Sequence, residues 1–297
     1  MKDPHKKLKV AILGSGNIGT DLLVKVLRSS YLECALFIGR SLSSPGMTKA
    51  ISLGVPVSDL SIDVIMKDPD CCNLVFDATS ALYHKHHANI LDELGKFVID
   101  LTPSRVGTMA IPAINLRECL HCKDVNVVTC GGQASIPLAY VIGQIHKDVS
   151  YIEVISTIAS RSAGAATRIN LDEYIETTEE GIRLFSGCNN AKAILNLNPA
   201  QPCVDMQTTI FAKVKKPYLE KLRNAIDSMV KKIQCYVPGY ELIVPPVMEN
   251  DRIVIMVRVK GRGDYLPSYA GNLDIISCAA IAVAEEYAKA TIEKVSA

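Results

Sequence analysis

The chain has 297 residues, of which 48% are hydrophobic and 21% are charged, and its net charge at pH 7 is +1. This length predicts two domains or one large α/β domain, and the balanced charge excludes an electrostatic case for nucleic acid or an anionic membrane surface as a partner. No apolar run approaches the roughly 18 residues of a membrane span. Ten cysteines, with no secretory signal, favour the reduced thiols of a cytoplasmic protein. The lysine-rich start (Lys2, Lys6, Lys7 and Lys9) is interpreted as a solvated tail.

The first patterned segment predicts a dinucleotide-binding turn. Residues 8–13 form a continuous apolar run, which is typical of a central parallel strand buried on both faces. A glycine-rich turn, a helix with an apolar stripe and a short strand at 34–38 follow. In this order the glycines allow a tight turn, close approach of a pyrophosphate and helix–strand packing. The residues of the turn are Gly14, Ser15, Gly16, Asn17, Ile18 and Gly19.

Three further apolar runs are each followed by polar residues. The runs lie at 73–76, 97–101 and 125–128, and the residues that follow them are Thr79, Ser80, Thr102, Pro103 and Cys130. Ligands of open parallel sheets collect outside the carboxyl ends of the strands. These residues are therefore predicted to line one crevice with the glycine-rich turn, where Thr79 would contact the cofactor.

Two groups of potential metal ligands receive a structural interpretation. Cys119 and Cys122 have C-x-x-C spacing, but a zinc site would need a second pair with similar spacing. His84, His86 and His87 lack the i, i+4 spacing of a helical metal site, and we expect a solvated helix face instead. No metal is predicted.

After residue 150 the pattern changes to that of an α+β domain. Runs with some period-2 alternation lie at 151–160, 203–214 and 252–259, and an amphipathic helix is predicted at 217–233. A last helix, at 273–295 with Asn272 as its N-cap, is expected to pack back on the nucleotide domain. The predicted architecture is α/β: a Rossmann-type parallel-sheet domain of residues 1–132 and 273–297, and an α+β catalytic and dimerisation domain of residues 133–272.

Cys130 has the surroundings of an attacking thiolate. It lies where an apolar strand stops and a helix is predicted to begin, and Gly131 and Gly132 follow it. The positive end of a helix favours an anion and can lower a thiol pKa. The two glycines would let a substrate carbonyl approach and leave backbone N–H groups to hold a developing oxyanion. On these residues alone, a buried structural cysteine is the alternative.

Six sequence blocks, which run in order from the first predicted strand to the last predicted helix, indicate a family. They are K-V-A-I-L-G-S-G-N-I-G-T-D-L-L (9–23), V-F-D-A-T-S-A (75–81), I-D-L-T-P (99–103), N-V-V-T-C-G-G-Q-A-S-I-P (126–137), R-S-A-G-A-A-T-R (161–168) and Y-L-P-S-Y-A-G-N-L-D-I (265–275). With these blocks the chain resembles the acylating acetaldehyde dehydrogenases, the CoA-dependent enzymes that partner 4-hydroxy-2-oxovalerate aldolases in aromatic degradation.

The resemblance implies a semialdehyde-dehydrogenase-type fold and an oxidoreductase. Such an enzyme converts a short-chain aldehyde, NAD or NADP, and coenzyme A to acyl-CoA and reduced cofactor, or the reverse. Cys130 would form the acyl thioester, and Ser15 to Ile18 would hold the pyrophosphate. Further contacts to the nicotinamide cofactor would come from Ser162, Ala163, Gly164, Asn170 and Asn272. The implied partners are the aldehyde, coenzyme A, a second copy of the chain in a homodimer, and an aldolase of that class.

The chain departs from the family pattern where a base for the thiol would lie. Family members resemble one another in a M-R-D-T segment, and Thr208 stands here in place of its aspartate. Asp205 lies three residues earlier, on the opposite face of a regular strand. The stretch between Tyr240 and Arg252 is also shorter than in typical members. Thiol activation is therefore expected to rely on the helix end, a bound water or Asp205, and to give a higher Cys130 pKa than in relatives with the aspartate.

Two other functions stay open on the sequence. A phosphorylating semialdehyde dehydrogenase would resemble its family in pairing the cysteine with a histidine of the second domain, but no histidine follows His146. A cofactor-binding subunit with little turnover, such as one that stabilises an aldolase, is suggested by Thr208. The intact Cys130-Gly131-Gly132 run argues against it.

The residues after the second predicted strand predict the choice of cofactor. An acid there would bind the ribose 2′-hydroxyl of NAD, whereas Arg40, with Ser41 beside it, would attract the 2′-phosphate of NADP. An arginine stacked on the adenine, compatible with either cofactor, is the alternative. No Asp or Glu lies between Glu33 and Asp59, which favours NADP.

We expect NADP(H) to be used at least as well as NAD(H), and Arg40→Asp to shift the preference towards NAD. Binding titrations of both cofactors to both proteins measure the ratio. A wild-type protein that binds NAD tenfold more tightly than NADP, a gap of about 1.4 kcal/mol, would contradict this prediction.

Overall fold

A computed structural model describes residues 7–295, except for the side chains at positions 165, 166, 294 and 295. Lys2 and Lys6 of the predicted tail, and the two ends of the predicted first domain, lie outside these residues. Lys7 and Lys9 do not form a tail, because the Lys7 ammonium donates to the Ser29 carbonyl (2.6 Å) and Lys9 lies in the first strand. The chain divides into two compact units, which are residues 7–127 with 277–295 of the described chain, and Val128–Ile276.

The first unit is built on a seven-stranded sheet in which all neighbours are parallel. Its elements in chain order are β1 (Leu8–Leu13), α1 (Asn17–Arg28), β2 (Leu32–Ile38), α2 (Pro45–Ser52), β3 (Val57–Ser58), α3 (Asp63–Lys67), β4 (Leu74–Asp77), α4 (Ala81–Glu93), β5 (Phe97–Asp100), β6 (Thr108–Met109), α5 (Pro112–Cys119) and β7 (Asp124–Asn126). The strand order is β3-β2-β1-β4-β5-β7-β6. The predicted Rossmann-type parallel sheet is therefore confirmed. Tyr287, near the C-terminus, stacks on Phe97 of β5 with ring centroids 4.0 Å apart.

The turn between β1 and α1 requires two of its glycines. Gly14 has φ = +118°, which few side chains tolerate, and a Cβ on it would lie 2.5 Å from the carbonyl oxygen of Ala78. A Cβ on Gly19 would lie 1.8 Å from the Gly14 carbonyl oxygen, so α1 can approach the turn only with glycine there. The glycine spacing in the sequence thus has a steric cause in the fold.

A buried cluster of ionisable side chains joins the carboxyl ends of β4 and β5, where Asp77 and Asp100 lie, to the amino end of β7, where Asp124 lies. His84 Nδ1 contacts Asp77 at 2.9 Å, and its Nε2 contacts Asp124 at 3.2 Å and Asp100 at 3.4 Å. His87 Nδ1 also contacts Asp77, at 2.8 Å. The expectation of a solvated histidine face is therefore wrong for His84 and His87, because carboxylates at the strand ends supply partners that allow their burial.

The cluster holds His84 in its charged form and positions the loops that follow the strands. Burial opposes the charge, but hydrogen bonds to Asp124 and Asp77 outweigh it and raise the pKa of His84 to about 10. Asp77 accepts hydrogen bonds from the backbone N–H and the hydroxyl of Thr79, and Asp100 accepts one from the Thr102 N–H (2.7 Å). The geometry of both strand exits thus depends on buried carboxylates.

The second unit is an α+β structure on a five-stranded sheet. Its elements are α6 (Cys130–Ile145), β8 (Val149–Ala159), α7 (Ala165–Ile169), α8 (Leu171–Ser186), β9 (Ala191–Asn198), β10 (Met206–Val214), α9 (Leu219–Gln234), β11 (Tyr240–Glu249), β12 (Arg252–Val259) and α10 (Gly271–Val295), the last of which continues into the first unit. The strand order is β11-β12-β10-β8-β9, with only β8 and β9 parallel. Alternate residues of β10 are buried, in agreement with the predicted period of two.

Two predicted boundaries are wrong. The strand expected at 125–128 ends at Asn126, and Val128 has φ = +61°, an unusual conformation for a β-branched residue that turns the chain towards α6. The last helix begins at Gly271, so Asn272 lies inside its first turn and is not the N-cap. Within residues 7–295, no helix is both long enough and apolar enough to cross a bilayer.

His84→Leu should lower the free energy of unfolding by about 3 kcal/mol at pH 7, because it leaves buried carboxylates without their cation. The His84 pKa is raised above its ordinary value, so its stabilisation is fully present below about pH 6.5 and is lost as the pH rises through about 10. The cost of the substitution should therefore shrink between pH 7 and pH 10. Urea unfolding followed by circular dichroism measures it, with the exposed His86→Leu as the control that should cost little at either pH. Equal costs for the two variants would contradict this account.

Candidate active site

Cys130 is the first residue of α6, as the sequence predicts. The preceding Thr129 is the N-cap, and its Oγ1 accepts the Gly132 N–H at 2.9 Å. That hydroxyl also contacts the Thr178 hydroxyl at 2.7 Å, and Thr178 in turn donates to the Tyr174 carbonyl at 2.7 Å. Because the Thr178 proton is used on that carbonyl, Thr129 donates to Thr178. Hydroxyl groups thus fasten the start of α6 to α8.

Tyr174 of α8 lies against the cysteine itself. Its phenol oxygen is 3.6 Å from Cys130 Sγ and accepts the Gly131 N–H at 2.9 Å. A Cβ on Gly131 would lie 2.2 Å from the phenol oxygen and 2.8 Å from the Ser156 hydroxyl, so only glycine allows this contact. Tyr174 is not among the site residues predicted from the sequence, in which it lies 44 positions from Cys130.

The hydrogen bonds of Gly131 and Gly132 limit their expected role as oxyanion-binding N–H donors. Both N–H groups have hydroxyl acceptors, Tyr174 for Gly131 and Thr129 for Gly132. An oxyanion could use either N–H only after displacing its acceptor. The assignment of these glycines to the oxyanion therefore stays a prediction.

Thr208, at the position of the family aspartate, is fully buried in β10. It pairs with Ser156 across the β8–β10 ladder, and the two hydroxyl oxygens are 3.0 Å apart. The Ser156 hydroxyl lies beside the Tyr174 phenol, because one Cβ placed on Gly131 would touch both oxygens, and as a hydrogen-bond donor it lowers the pKa of Tyr174. Asp205 precedes the strand rather than lying within it. A chain of hydroxyl groups thus runs from Thr208 through Ser156 and Tyr174 to the sulfur.

Burial determines the protonation state of this site. It raises the pKa of the Cys130 thiol, and hydrogen bonds from Tyr174 and from the Gly131 and Cys130 backbone reduce that shift without reversing it. The backbone at the helix start thus lowers this pKa, as expected, but removal of the thiol from water outweighs it and the net shift is upward. The pKa of Tyr174 is raised well above its usual value, first by burial and then by the Cys130 charge.

The residues expected to hold the cofactor lie in both units. Asn272 is 2% exposed, and within the described chain its Oδ1 has no hydrogen-bond partner, while its Nδ2 donates weakly to the Ser162 carbonyl (3.5 Å). Ser162 and Ala163 are buried, Gly164 is exposed, and Asn170 occupies the N-cap position of α8. A buried amide oxygen without a partner is costly, so it fits a polar ligand.

In the first unit, the glycine-rich turn is open at Gly16. A Cβ on Gly16 would have no neighbour within 4 Å, and Gly16 and Asn17 are exposed at the N-terminus of α1. The half-buried Ser15 contacts the Ser44 hydroxyl at 3.2 Å, and Ile18 is half-buried. Arg40 and Ser41 are exposed, and Thr79 is half-buried on Asp77. The shared crevice of this turn with Cys130 stays a prediction.

Cys119 and Cys122, the C-x-x-C pair, lie at and just beyond the end of α5. Cys119 is buried and Cys122 is half-buried. Across residues 7–295, no group of three or more His, Cys, Asp or Glu side chains is arranged to hold a metal ion.

Comparisons with known proteins place this site in a family. A family model described as "Prokaryotic acetaldehyde dehydrogenase, dimerisation" matches residues 130–267. The acetaldehyde dehydrogenase of Spirochaeta aurantia is 60% identical over 97% of this chain and 97% of its own length, and that of Pectobacterium atrosepticum is 54% identical over 96% and 97%. The chain belongs to the acetaldehyde dehydrogenase family. The resemblance inferred from the six sequence blocks is thereby confirmed.

Solved structures agree on the fold of this acetaldehyde dehydrogenase family member. Aspartate semialdehyde dehydrogenase II from Vibrio cholerae superposes with a TM-score of 0.63, covering 94% of this chain and 98% of its own. The sequences are 12% identical, so the likeness extends to the fold alone. The predicted semialdehyde-dehydrogenase-like fold class is confirmed. Membership in a dehydrogenase family also implies a nicotinamide cofactor.

In the resting protein, Cys130 should be alkylated by iodoacetamide more slowly at pH 7 than the exposed Cys235, and its rate should rise with pH to a midpoint above that of a free thiol. The reason is the burial that raises the Cys130 pKa. Peptide mass spectrometry across a pH series follows both cysteines in one sample. A Cys130 midpoint below about 8.5, the value of an unperturbed thiol, would show that the helix end dominates after all.

Proposed function

We propose that the chain is an acylating acetaldehyde dehydrogenase, which converts a short-chain aldehyde, NAD(P)⁺ and coenzyme A to acyl-CoA and NAD(P)H, or catalyses the reverse reaction. The observation that carries the proposal is the placement of Cys130, at the start of α6 against Tyr174, in a chain 60% identical to a curated acetaldehyde dehydrogenase. An inert subunit would need neither the thiol nor its contacts.

The thiol chemistry follows from the position of the sulfur. Cys130 releases its proton to solvent, and the thiolate attacks the aldehyde carbonyl to form a thiohemiacetal. When bound, the nicotinamide supplies the acceptor for the hydride that leaves that carbon. Cys130 then holds the acyl group as a thioester, which coenzyme A removes by attack of its own thiol, and Cys130 becomes free again. Cys130 is only 9% exposed, so few water molecules reach its sulfur, which limits hydrolysis of the thioester.

The residues present fit the nicotinamide cofactor. The exposed N-terminus of α1, with open space at Gly16, would accept the pyrophosphate with Ser15, Asn17 and Ile18. The unpartnered Asn272 Oδ1 would accept a hydrogen bond from the cofactor's amide end. Thr79 and the segment from Ser162 to Asn170 would supply further contacts, and Arg40 with Ser41 would select between NAD and NADP.

The matched dimerisation model supports a homodimer as the working assembly. Coenzyme A and the aldehyde are its proposed small-molecule partners. An aldolase of the 4-hydroxy-2-oxovalerate type is a further proposed partner, which rests on the family resemblance alone.

Purified protein should reduce NAD(P)⁺ at 340 nm only when aldehyde and coenzyme A are both present, and Cys130→Ala should lose this activity by at least about 10³-fold because it removes the nucleophile. Cys188→Ala, at another buried cysteine of the second unit, is the matched control and should retain activity. Incubation with acetyl-CoA should add one acetyl group to the Cys130 peptide. Turnover without coenzyme A, or an active Cys130→Ala variant, would reject the proposed function.

A further inference from the structure

The hydroxyl chain that ends at Cys130 passes through the Tyr174 phenol, which can make only a limited number of hydrogen bonds. The Tyr174 phenol has one proton to donate and two lone pairs to accept. One lone pair receives the Gly131 N–H, and the neighbouring Ser156 hydroxyl, which faces the same side of Gly131, can fill the other. When both are filled from these donors, the phenol proton has Cys130 Sγ, 3.6 Å away, as its partner.

We propose that Tyr174 is a catalytic residue that donates its phenol hydrogen bond to the Cys130 thiolate, and that Ser156 and Thr208 orient it for this role. In the thiol form, S–H donates to the phenol oxygen. In the thiolate form the direction reverses: Thr208 donates to Ser156, Ser156 to Tyr174, and Tyr174 to the sulfur. The contacts that allow this reversal are 3.0 Å between Thr208 and Ser156 and 3.6 Å between Tyr174 and Sγ.

No proton moves along this chain. Cys130 gives its proton to solvent water, and each of the three hydroxyls keeps its own proton and only rotates. The phenol stays neutral because burial keeps its pKa well above the ordinary value, so it acts as a donor and not as a base. A hydrogen bond to an anion is stronger than one to a neutral thiol, and the chain therefore stabilises the thiolate selectively.

This arrangement also gives Thr208 a function that is not that of a carboxylate base. Its hydroxyl is fully buried and reaches the sulfur only through two other side chains. Such a residue can act on Cys130 by fixing the direction of the chain, so Ser156 and Thr208 are positioning residues. The inference rests on the proposed function, in which the Cys130 thiolate is the nucleophile.

The experiment is the pH dependence of Cys130 alkylation by iodoacetamide, without aldehyde, cofactor or coenzyme A, read by peptide mass spectrometry. Tyr174→Phe should raise the midpoint by about one pH unit and slow alkylation about tenfold below it, since it removes a hydrogen bond to an anion. Thr208→Val and Ser156→Ala should move the midpoint in the same direction but less, with the larger shift for Ser156, which contacts the phenol. These two variants test the chain even where Tyr174→Phe does not fold.

Tyr240→Phe is the matched control. Tyr240 is another fully buried tyrosine of this unit. It donates a hydrogen bond at 2.6 Å to the carbonyl of Ala134 in α6, the helix that begins at Cys130. Its loss should lower stability and leave the Cys130 midpoint unchanged. A Tyr174→Phe midpoint equal to or below the wild-type value overturns the proposal, as does a shift of the same size in Tyr240→Phe. Because no substrate is present, these outcomes are independent of the turnover assay that tests the proposed function.

In single-turnover acylation with acetyl-CoA, the slower rate of Tyr174→Phe should approach the wild-type rate as the pH rises above both midpoints. A deficit that stays constant with pH indicates a merely structural effect and also overturns the proposal.

Discussion

The first turn of α6 must find acceptors for its backbone N–H groups, and it takes them from side-chain hydroxyls. Thr129 accepts from Gly132, and Tyr174 accepts from Gly131. A helix N-terminus usually offers these groups to a bound anion. Here the hydroxyls occupy them, which fixes Cys130 and α8 in one rigid arrangement and makes the polar surroundings of the sulfur neutral rather than cationic. Burial raises the pKa of the Cys130 thiol, and the hydrogen bonds from Tyr174 and the backbone reduce that rise.

In the first unit, by contrast, the strand ends are held by histidine and aspartate side chains. There one buried imidazolium, His84, contacts the carboxyl groups of three aspartates. Two of them, Asp77 and Asp100, accept the N–H groups of Thr79 and Thr102, and burial raises the pKa of Asp100 to about 7. Charge is tolerated in this place because the imidazolium has carboxylate partners, whereas the hydrogen bonds of Cys130 within the described residues are to a phenol and to backbone.

The parts of the fold that could be predicted are those in which local pattern and tertiary structure agree. The apolar run of β1 and the glycines at 14 and 19 predicted a strand, a turn and a helix because steric constraints act within a few residues. Tyr174 could not be found in this way. Its role depends on contact with residues 44 positions earlier, and its only local signal is a tyrosine in a polar helix with threonines on the same buried face. The burial of His84 was not predicted for the same reason: it lies in α4, and its aspartate partners come from three strands of the sheet.

The close approach of Tyr174 to Gly131 links positions that are far apart in the chain. An alanine at 131 would place its Cβ 2.2 Å from the phenol oxygen, 2.8 Å from the Ser156 hydroxyl and 3.2 Å from the phenol Cζ. Removal of the Tyr174 hydroxyl alone would leave the 2.8 Å clash with the Ser156 hydroxyl and a tight 3.2 Å contact with Cζ, so an alanine at 131 fits best after both neighbours have changed. The three positions therefore form one epistatic unit. In evolution, substitutions at residues 156 and 174 are therefore expected to precede a substitution of Gly131.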